Sequence, residues 1–383
     1  VTRYFATCAR GLEAILAGEL AALGAADIEP GRGGVGFRGP LDLVYRANLH
    51  LRTAVRVLRP VFEGIVRNPD ELYDAVRTVR WDEFLTPDQT LAVDCNAKNS
   101  GITHSQYAAR RVKDAICDQF RDHTGRRPSV DAERPNVGLN LHVSHDTAVL
   151  SLDSSWDSLH KRGYRPISTR APLNEALAAG LLLRCGYDGT KPLWDPLCGS
   201  GTFAIEAAMI ALNRPPGLTR KWFAFYGWPG FDKGHWAALR EDARRKVKAT
   251  LAQPIGGSDI RDDAIYFAHE NAKLAGLGHL LRFEKCDVRM IRPPADATIP
   301  GQLICNPPYG ERVGEEAELD ELYDTIGEVT TRHWPGWELA IFTINNPHTR
   351  KVRRKVRDNH PFFNGSLNCK LWQYQVEPAR PPL

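Results

Sequence analysis

The segment Asp195-Pro196-Leu197-Cys198-Gly199-Ser200-Gly201-Thr202 constrains this chain more than any other. It joins a short apolar stretch, Pro192–Trp194, to Thr202–Leu212, a helical stretch apolar on nearly every side. Such a helix has no solvent face and must pack inside the fold. Gly199 and Gly201 let the connection turn tightly and approach a ligand at the helix N-terminus, where unpaired N–H groups point outward. Units of the same rhythm follow. Strand Ile255–Ser258 leads to Asp259 and then to a helix with Asp262 and Asp263 as start signals. Ile265, Ala268, Ala272 and Ala275 face inward on that helix, and Gly276 stops it. Strand Leu281–Glu284 precedes Asp287, and strand Leu303–Cys305 precedes Asn306-Pro307-Pro308-Tyr309. Helix Leu319–Val329, with Leu322, Tyr323 and Ile326 on its apolar face, is followed by strand Glu338–Thr343 and an alternating strand, Leu367–Val376. Repeated strand–helix units predict an α/β fold with a parallel sheet and helices on both faces. Ligands bind such a sheet beyond the carboxyl ends of its strands, where Asp195, Gly199, Asp259, Asp287 and Asn306 all fall.

The 383 residues are enough for two or three domains. Ahead of the repeated units, strands are expected at Tyr4–Thr7, where the turn Gly33-Gly34-Val35-Gly36-Phe37 enters a second strand, at Val55–Leu58 and at Leu91–Cys95. Leu12, Ile15, Leu16 and Leu23 share a helical face, and further helices are expected beyond Leu41, over Glu71–Val79 and over His104–His123. Alternating segments Gly138–Val143 and Ala148–Leu152 complete a small α+β module that carries no catalytic constellation.

Hydrophobic residues at 43% and charged residues at 25% exclude a disordered chain. A net charge of +4 tolerates a nucleic-acid partner without demanding one. The eight cysteines form no Cys-x-x-Cys pair, which argues against a zinc knuckle or a disulfide framework and for reduced thiols in a cytoplasmic protein. Glu13 and Glu19 interrupt the apolar residues 11–23, and no stretch approaches the roughly 18 apolar residues of a membrane span.

The glycine turn lacks the lysine of a phosphate loop, and Phe203, Ala204 and Ile205 lack the third glycine of a dinucleotide fingerprint. Asp259 can accept hydrogen bonds from two ribose hydroxyls and Asp287 from an adenine amino group; a helix-capping role is the alternative for either. With Asp262 and Asp263 at the capping position, Asp259 is the freer for a ligand. Acids and turn together describe an adenosine-bearing cofactor without phosphates. The exocyclic nitrogen of a nucleobase is a poor nucleophile, because its lone pair is conjugated into the ring. Acceptors on its two N–H groups, the Asn306 side-chain oxygen and the Pro307 carbonyl, would favour pyramidalisation and stabilise the developing positive charge. Tyr309 offers a face for the base to stack on, and the prolines hold the turn rigid. A plain Pro-Pro turn after a buried strand is the rival reading. Carbon-5 pyrimidine methylation needs a nucleophilic thiol. Cys305 reads instead as a buried strand residue and Cys198 as a small turn residue, while His142 and His145 lack a third metal ligand.

The series Arg162-Gly163-Tyr164-Arg165, Ala171-Pro172-Leu173, Asp195–Thr202, Gly257-Ser258-Asp259, Asn306-Pro307-Pro308-Tyr309-Gly310-Glu311-Arg312 and Asn364-Gly365-Ser366-Leu367 resembles the THUMP-domain RNA guanine-N2 methyltransferases. Within them the likeness is to the bacterial 23S rRNA (guanine-N2)-methyltransferase RlmL group. The motifs are specific from Lys161 onward; the earlier part matches in length and pattern. The resemblance implies a ferredoxin-like segment over 1–42, a THUMP RNA-binding domain over 43–154 and a methyltransferase domain over 155–383, with 155–172 as linker. The last would be Rossmann-like of class I, mostly parallel with an antiparallel last strand. It implies S-adenosyl-L-methionine as cofactor, held by Asp195, Cys198, Gly199, Ser200, Gly201, Asp259, Ile260, Asp287, Val288 and Asn306, with Asn306, Pro307 and Tyr309 at the target base. No metal is implied. The implied partner is RNA, 23S rRNA first and tRNA second, since archaeal tRNA enzymes share the motifs. Adenine N6 or cytosine N4 of RNA or DNA, and a non-catalytic ribosome-assembly factor, are the other readings. Leu197 stands where methionine is common, and a second methyltransferase block carried by some members does not follow.

Positive charge clusters at Lys351–Arg357, Arg244–Lys248, Arg220-Lys221 and Arg110–Lys113, either as solvated faces or as RNA contacts. Trp222–Phe231 packs four more aromatics into an insertion, Phe223, Phe225, Tyr226 and Trp228, which reads as a local hydrophobic cluster or as a stacking lid.

Overall fold

A computed structural model describes residues 1–165, 173–309 and 316–375. Ala171-Pro172, Gly310-Glu311-Arg312 and Val376, which figure in the sequence expectations, lie outside them, as does the end of the expected linker, 166–172. The chain forms two compact units: one of Val1–Thr7, Ala17–Leu159 and Arg220–Glu241, the other of Cys8–Leu16, His160–Thr219 and Asp242–Leu383.

In the first unit the chain runs β1 (Thr2–Thr7), α1 (Glu13–Ala22, shared with the second unit), β2 (Ala26–Gly31), β3 (Gly34–Gly39), α2 (Leu41–His50), β4 (Arg56–Ile65), α3 (Pro69–Arg77), β5 (Thr90–Lys98), α4 (Ser105–Thr124), β6 (Ser129–Val130), β7 (Val137–Ser144) and β8 (Thr147–Asp153). One eight-stranded sheet, ordered β2-β3-β1-β4-β8-β7-β5-β6, carries them all. Strand β4 joins its two halves, pairing antiparallel with β1 on one side and β8 on the other. Asn68 starts α3 by accepting the Asp70 and Glu71 N–H groups, and Gly125, left-handed at φ 72°, ends α4. Strands β2 and β6 escaped the sequence pattern because they lie at the sheet edges, β6 fully exposed and β2 nearly so, and show no apolar alternation.

The aromatic insertion belongs to this unit. Phe223 and Phe225 are fully buried, Phe225 stacks on Tyr45 of α2 at 5.0 Å, and the Trp236 ring meets Phe225 edge-on at 5.2 Å. It is a hydrophobic cluster. Arg220 is equally structural: its buried guanidinium donates to the carbonyls of Ser155, Asp157 and Ser158.

The second unit continues with α5 (Glu175–Arg184), β9 (Leu193–Asp195), α6 (Thr202–Ala211), the end of α7 (Lys233–Arg245), β10 (Ile255–Asp259), α8 (Asp262–Leu274), β11 (Leu281–Lys285), β12 (Gln302–Cys305), α9 (Glu316–His333), β13 (Glu338–Ile344), β14 (Val356–Asn364) and β15 (Leu367–Tyr374). Its sheet is ordered β11-β10-β9-β12-β13-β15-β14. The first five strands are parallel; β15 runs antiparallel to β13, and β14 antiparallel to β15. From β9 the chain winds outward through β10 to β11, then crosses to β12 on the other side. That reversal opens a crevice at the carboxyl ends of β9 and β12. Below it, Trp194, Leu303, Cys305, Tyr323, Ile326, Leu339 and Ile341 form one buried cluster. Strand β14, polar and at the edge, was not legible in the sequence. No helix among the described residues is long and apolar enough to cross a membrane.

Candidate active site

Each strand end of the parallel sheet presents a polar group. At the end of β9, Asp195 is buried, and its Oδ1 accepts the Leu197 N–H at 3.1 Å. Burial pushes its carboxyl well above the usual carboxylate range, and the nearby charge of Asp259 adds to the effect. The glycine turn is sewn to β10. The Cys198 N–H donates to the Ser258 carbonyl at 2.9 Å and the Gly199 N–H to Asp259 Oδ2 at 3.0 Å. Gly201 begins α6 at φ 81°, which a side chain rarely adopts, while the place where a Cβ on Gly199 would stand is open space. Beneath the turn, a Cβ on Gly257 would lie 2.6 Å from the Cys198 Cβ and 2.7 Å from the Asp195 carbonyl oxygen. Buried Ser200 is fixed from α8, where Asn271, also buried, donates to its carbonyl at 3.0 Å.

At the end of β10, Asp259 is half-buried and accepts on both oxygens, from Gly199 and from the Arg261 N–H at 3.0 Å. It is therefore bound into the turn. Asp262 and Asp263 are not the caps of α8: the N-cap is Arg261, which makes no side-chain cap bond and pairs instead with Asp263, while Asp262 pairs with Lys285. Ile265 is only half-buried; Ala264 and Asn271 join Ala268 and Ala272 on the inward face. After β11, Asp287 caps a short helical turn through the Arg289 N–H and is paired with the Arg289 guanidinium, which holds its carboxyl below the usual range. Ile260, Asp287 and Val288 line a cleft of about 490 Å³ with Leu197, Cys286, Arg289, Pro308, Leu319 and Leu322, among others. Its size suits a small-molecule ligand. Asp195, Gly199, Ser200, Gly201, Asp259 and Asn306 lie outside that lining.

Asn306 follows β12. Its Oδ1 is shut from solvent and has no hydrogen-bond partner among the described residues. Leaving such an acceptor unmade costs about 1–3 kcal/mol. Pro307 is buried and Pro308 exposed. Tyr309 is half-buried; its hydroxyl lies 3.5 Å from the Asn364 Nδ2 and 3.9 Å from the Cys369 Sγ. Burial raises the Tyr309 hydroxyl above its ordinary value. Cys198 and Cys305 are buried, with thiols pushed well up, so neither is an activated nucleophile.

The Arg162-Gly163-Tyr164-Arg165 motif is a buried clasp. Tyr164 donates to Glu206 Oε1 at 3.0 Å, and the Arg162 Nε lies 3.6 Å from the same oxygen. Arg165 pairs with Glu175 at 3.0 Å and donates to Thr202 Oγ1 at 3.3 Å, so it reaches the first residue of α6. Glu206, a lone acid in an otherwise apolar helix, was the sequence signal for this network. Sequence reasoning also missed Asn271.

The densest basic run is largely neutralised. Lys351 pairs with Asp320, Arg353 with Asp324, and Arg357 lies 3.7 Å from Glu338. Arg111 pairs with Asp70, Lys113 with Asp114, and Arg245 and Lys246 with Asp242. Among the described residues no cluster of His, Cys, Asp and Glu could hold a metal ion.

Comparison with known proteins adds three matched families: an RlmL ferredoxin-like domain over residues 3–58, a THUMP domain over 66–153 and an RMKL-like methyltransferase domain over 162–373. The ribosomal RNA large subunit methyltransferase K/L of Syntrophotalea carbinolica is 45% identical over 99% of this chain, which covers 54% of that protein. The chain thus spans about half the length of that relative. A Synechocystis protein named "Putative RNA methyltransferase slr0064" is 43% identical, with 97% of this chain and 96% of that one covered. A crystal structure described as "SMU.472, a putative methyltransferase complexed with SAH" superposes with a TM-score of 0.89 at 31% identity, covering 99% of each chain.

Proposed function

The chain belongs to the RMKL-like methyltransferase family, with ferredoxin-like and THUMP domains ahead of the catalytic one, and from that premise we propose that it methylates guanine N2 in RNA, with 23S rRNA as substrate and S-adenosyl-L-methionine as cofactor. The single observation that carries the reading is the unpartnered Oδ1 of Asn306 at the end of β12, beside the switch point of the sheet.

The cofactor end fits a cationic, phosphate-free nucleoside. Asp195 is a buried carboxyl whose charged form is disfavoured until a cation neutralises it. S-adenosyl-L-methionine carries such cations in its ammonium and sulfonium groups. Asp259, fixed by two backbone N–H groups, keeps lone pairs for ribose hydroxyls. Ile260 and Val288 supply apolar walls in the cleft, and Asp287 can accept from an adenine amino group once Arg289 yields. When bound, the cofactor supplies a methyl group activated by a sulfonium.

Asn306 and Pro307 act on the acceptor. Rotation of the carboxamide about its broad final torsion presents Oδ1 to a donor, and an amine N–H satisfies an oxygen that has nothing else to bind. The bond strengthens as the nitrogen gains positive charge, so the interaction is larger in the transition state than in the ground state. Tyr309 stacks on the base and fixes its plane. No general base is required, because the proton becomes acidic once the nitrogen is alkylated. The N-terminal unit, with its THUMP domain, binds the RNA.

The test is methyl transfer from labelled cofactor to 23S rRNA and tRNA transcripts lacking modifications, followed by nucleoside identification. N2-methylguanosine in the 23S transcript is the expected product. N6-methyladenosine or N4-methylcytidine would overturn the choice of base. Failure to bind S-adenosylhomocysteine in calorimetry would overturn the enzymatic reading altogether.

A further inference from the structure

Stacking alone does not use the Tyr309 hydroxyl, yet in this structure the hydroxyl lies at the outer edge of hydrogen-bond reach from two side chains, 3.5 Å from Asn364 Nδ2 and 3.9 Å from Cys369 Sγ. Asn364 and Cys369 both approach it, and both belong to the β14–β15 hairpin. That hairpin is tied into the sheet through β13. Asn364 pairs with Leu367 across a two-residue turn, Gly365-Ser366, in which Gly365 takes φ 61°. Cys369 pairs with Phe362 on one side and with Ile344 of β13 on the other. The preceding residue is pinned as well: the Phe363 N–H donates to the Arg10 carbonyl at 3.2 Å, and the Arg10 guanidinium sits 5.1 Å from the centre of the Phe363 ring.

We infer that this hairpin is a brace for the target-base site, with Asn364 a positioning residue that fixes the ring plane of Tyr309 through its hydroxyl. The inference rests on the transfer reaction proposed above. It also explains the Asn364-Gly365-Ser366-Leu367 motif, which that reaction does not use: glycine makes the turn, and the asparagine before it carries the amide to the tyrosine. A ring free to tilt would still bury its face against a base but would hold the amine away from its attacking line. Loss of that alignment lowers turnover without touching the cofactor pocket.

The experiment is a double-mutant cycle in the full chain, with Tyr309→Phe, Asn364→Ala and the double variant. Each is assayed by single-turnover transfer from labelled S-adenosyl-L-methionine to an unmodified 23S transcript. Each single variant is expected to lose about tenfold in rate with the cofactor KM unchanged, and the double variant to lose no more than either single one. Asn364→Asp is expected to recover the rate, because a carboxylate accepts from the hydroxyl that the amide donated to. Thermal unfolding of all four variants identifies any that lose the fold, and Asn364→Asp together with Tyr309→Phe then carries the test. Losses that multiply in the double variant, or a full rate for Tyr309→Phe, would overturn the brace and leave the transfer reaction standing. A wild-type chain that moves no methyl group would overturn both.

Discussion

The two sides of the crevice are built on opposite principles. On the β9–β11 side the three aspartates at the strand ends each have a partner: Asp195 holds the Leu197 N–H, Asp259 the Gly199 and Arg261 N–H groups, and Asp287 its neighbour Arg289. On the β12 side the Asn306 Oδ1 has none among the described residues. The first arrangement fixes the shape of a pocket before a ligand arrives, which lowers the ordering cost of binding. The second keeps an unsatisfied acceptor whose hydrogen bond forms only when a donor enters. Under the proposed reaction, a cofactor that binds in every catalytic cycle suits the first side, and a reacting amine suits the second.

Asn306→Ala is the sharpest attack on this contrast. The variant should retain S-adenosylhomocysteine affinity by calorimetry and lose about 10²–10³ in the transfer rate, the usual magnitude for removing one group that stabilises transition-state charge. Turnover like the wild type would mean that the orphaned oxygen is a structural accident. Asp259→Ala attacks the other side and should show the reverse split. Hydrogen bonds to a charged group are worth about 1.5–3 kcal/mol, so cofactor affinity should fall about 10- to 100-fold. Transfer at saturating cofactor should fall less. A change confined to the transfer rate would place Asp259 on the wrong side of the comparison.

Gly257→Ala asks whether the bonded side is as rigid as its hydrogen bonds suggest. The added methyl meets the Cys198 Cβ and the Asp195 carbonyl, both within a turn that is anchored at each end. Overpacking of this kind costs about 1–3 kcal/mol, read as a lower midpoint in urea unfolding, with weaker cofactor binding alongside. Unchanged stability would show that the turn can shift, and the contrast between a fixed and a waiting half would soften.

How much of this was legible depended on where the physics left a local trace. Strands β9 and β12 are short and mostly apolar, β10 is rich in glycine and β11 alternates apolar with charged residues; acids or Asn306 follow them, and glycine and proline punctuate them, so the parallel sheet and its carboxyl ends could be read directly. Strands β2 and β14 could not, since edge strands with exposed faces lack the apolar alternation that marks a strand. The clasp of Arg162, Tyr164 and Glu206 joins residues some forty positions apart, and only the oddity of an acid inside an apolar helix hinted at it. Asp262 and Asp263 looked like caps because acids near a helix start usually are; here Arg261 and Lys285 draw both into ion pairs. The expectation for Asn306 came from its prolines and from the glycine turn upstream. That its oxygen stands unpaired was not, because partners arrive from elements distant in sequence.

The basic run at Lys351–Arg357 carries the smallest expected effect and tests where RNA recognition resides. Lys351 and Arg353 of the run face acids of α9, and Arg353 meets both oxygens of Asp324 at 3.0 Å in an exposed pair. Exposed pairs contribute about 0–1 kcal/mol, so Arg353→Ala should shift the unfolding midpoint little. If the run is a neutralised face, the same substitution should also leave the salt dependence of RNA binding unchanged, whereas a phosphate contact would lower the slope by about 1. A lowered slope would mean that Arg353 leaves Asp324 when RNA binds. The β12 side would then hold, beside the Asn306 oxygen, a second group that waits for substrate.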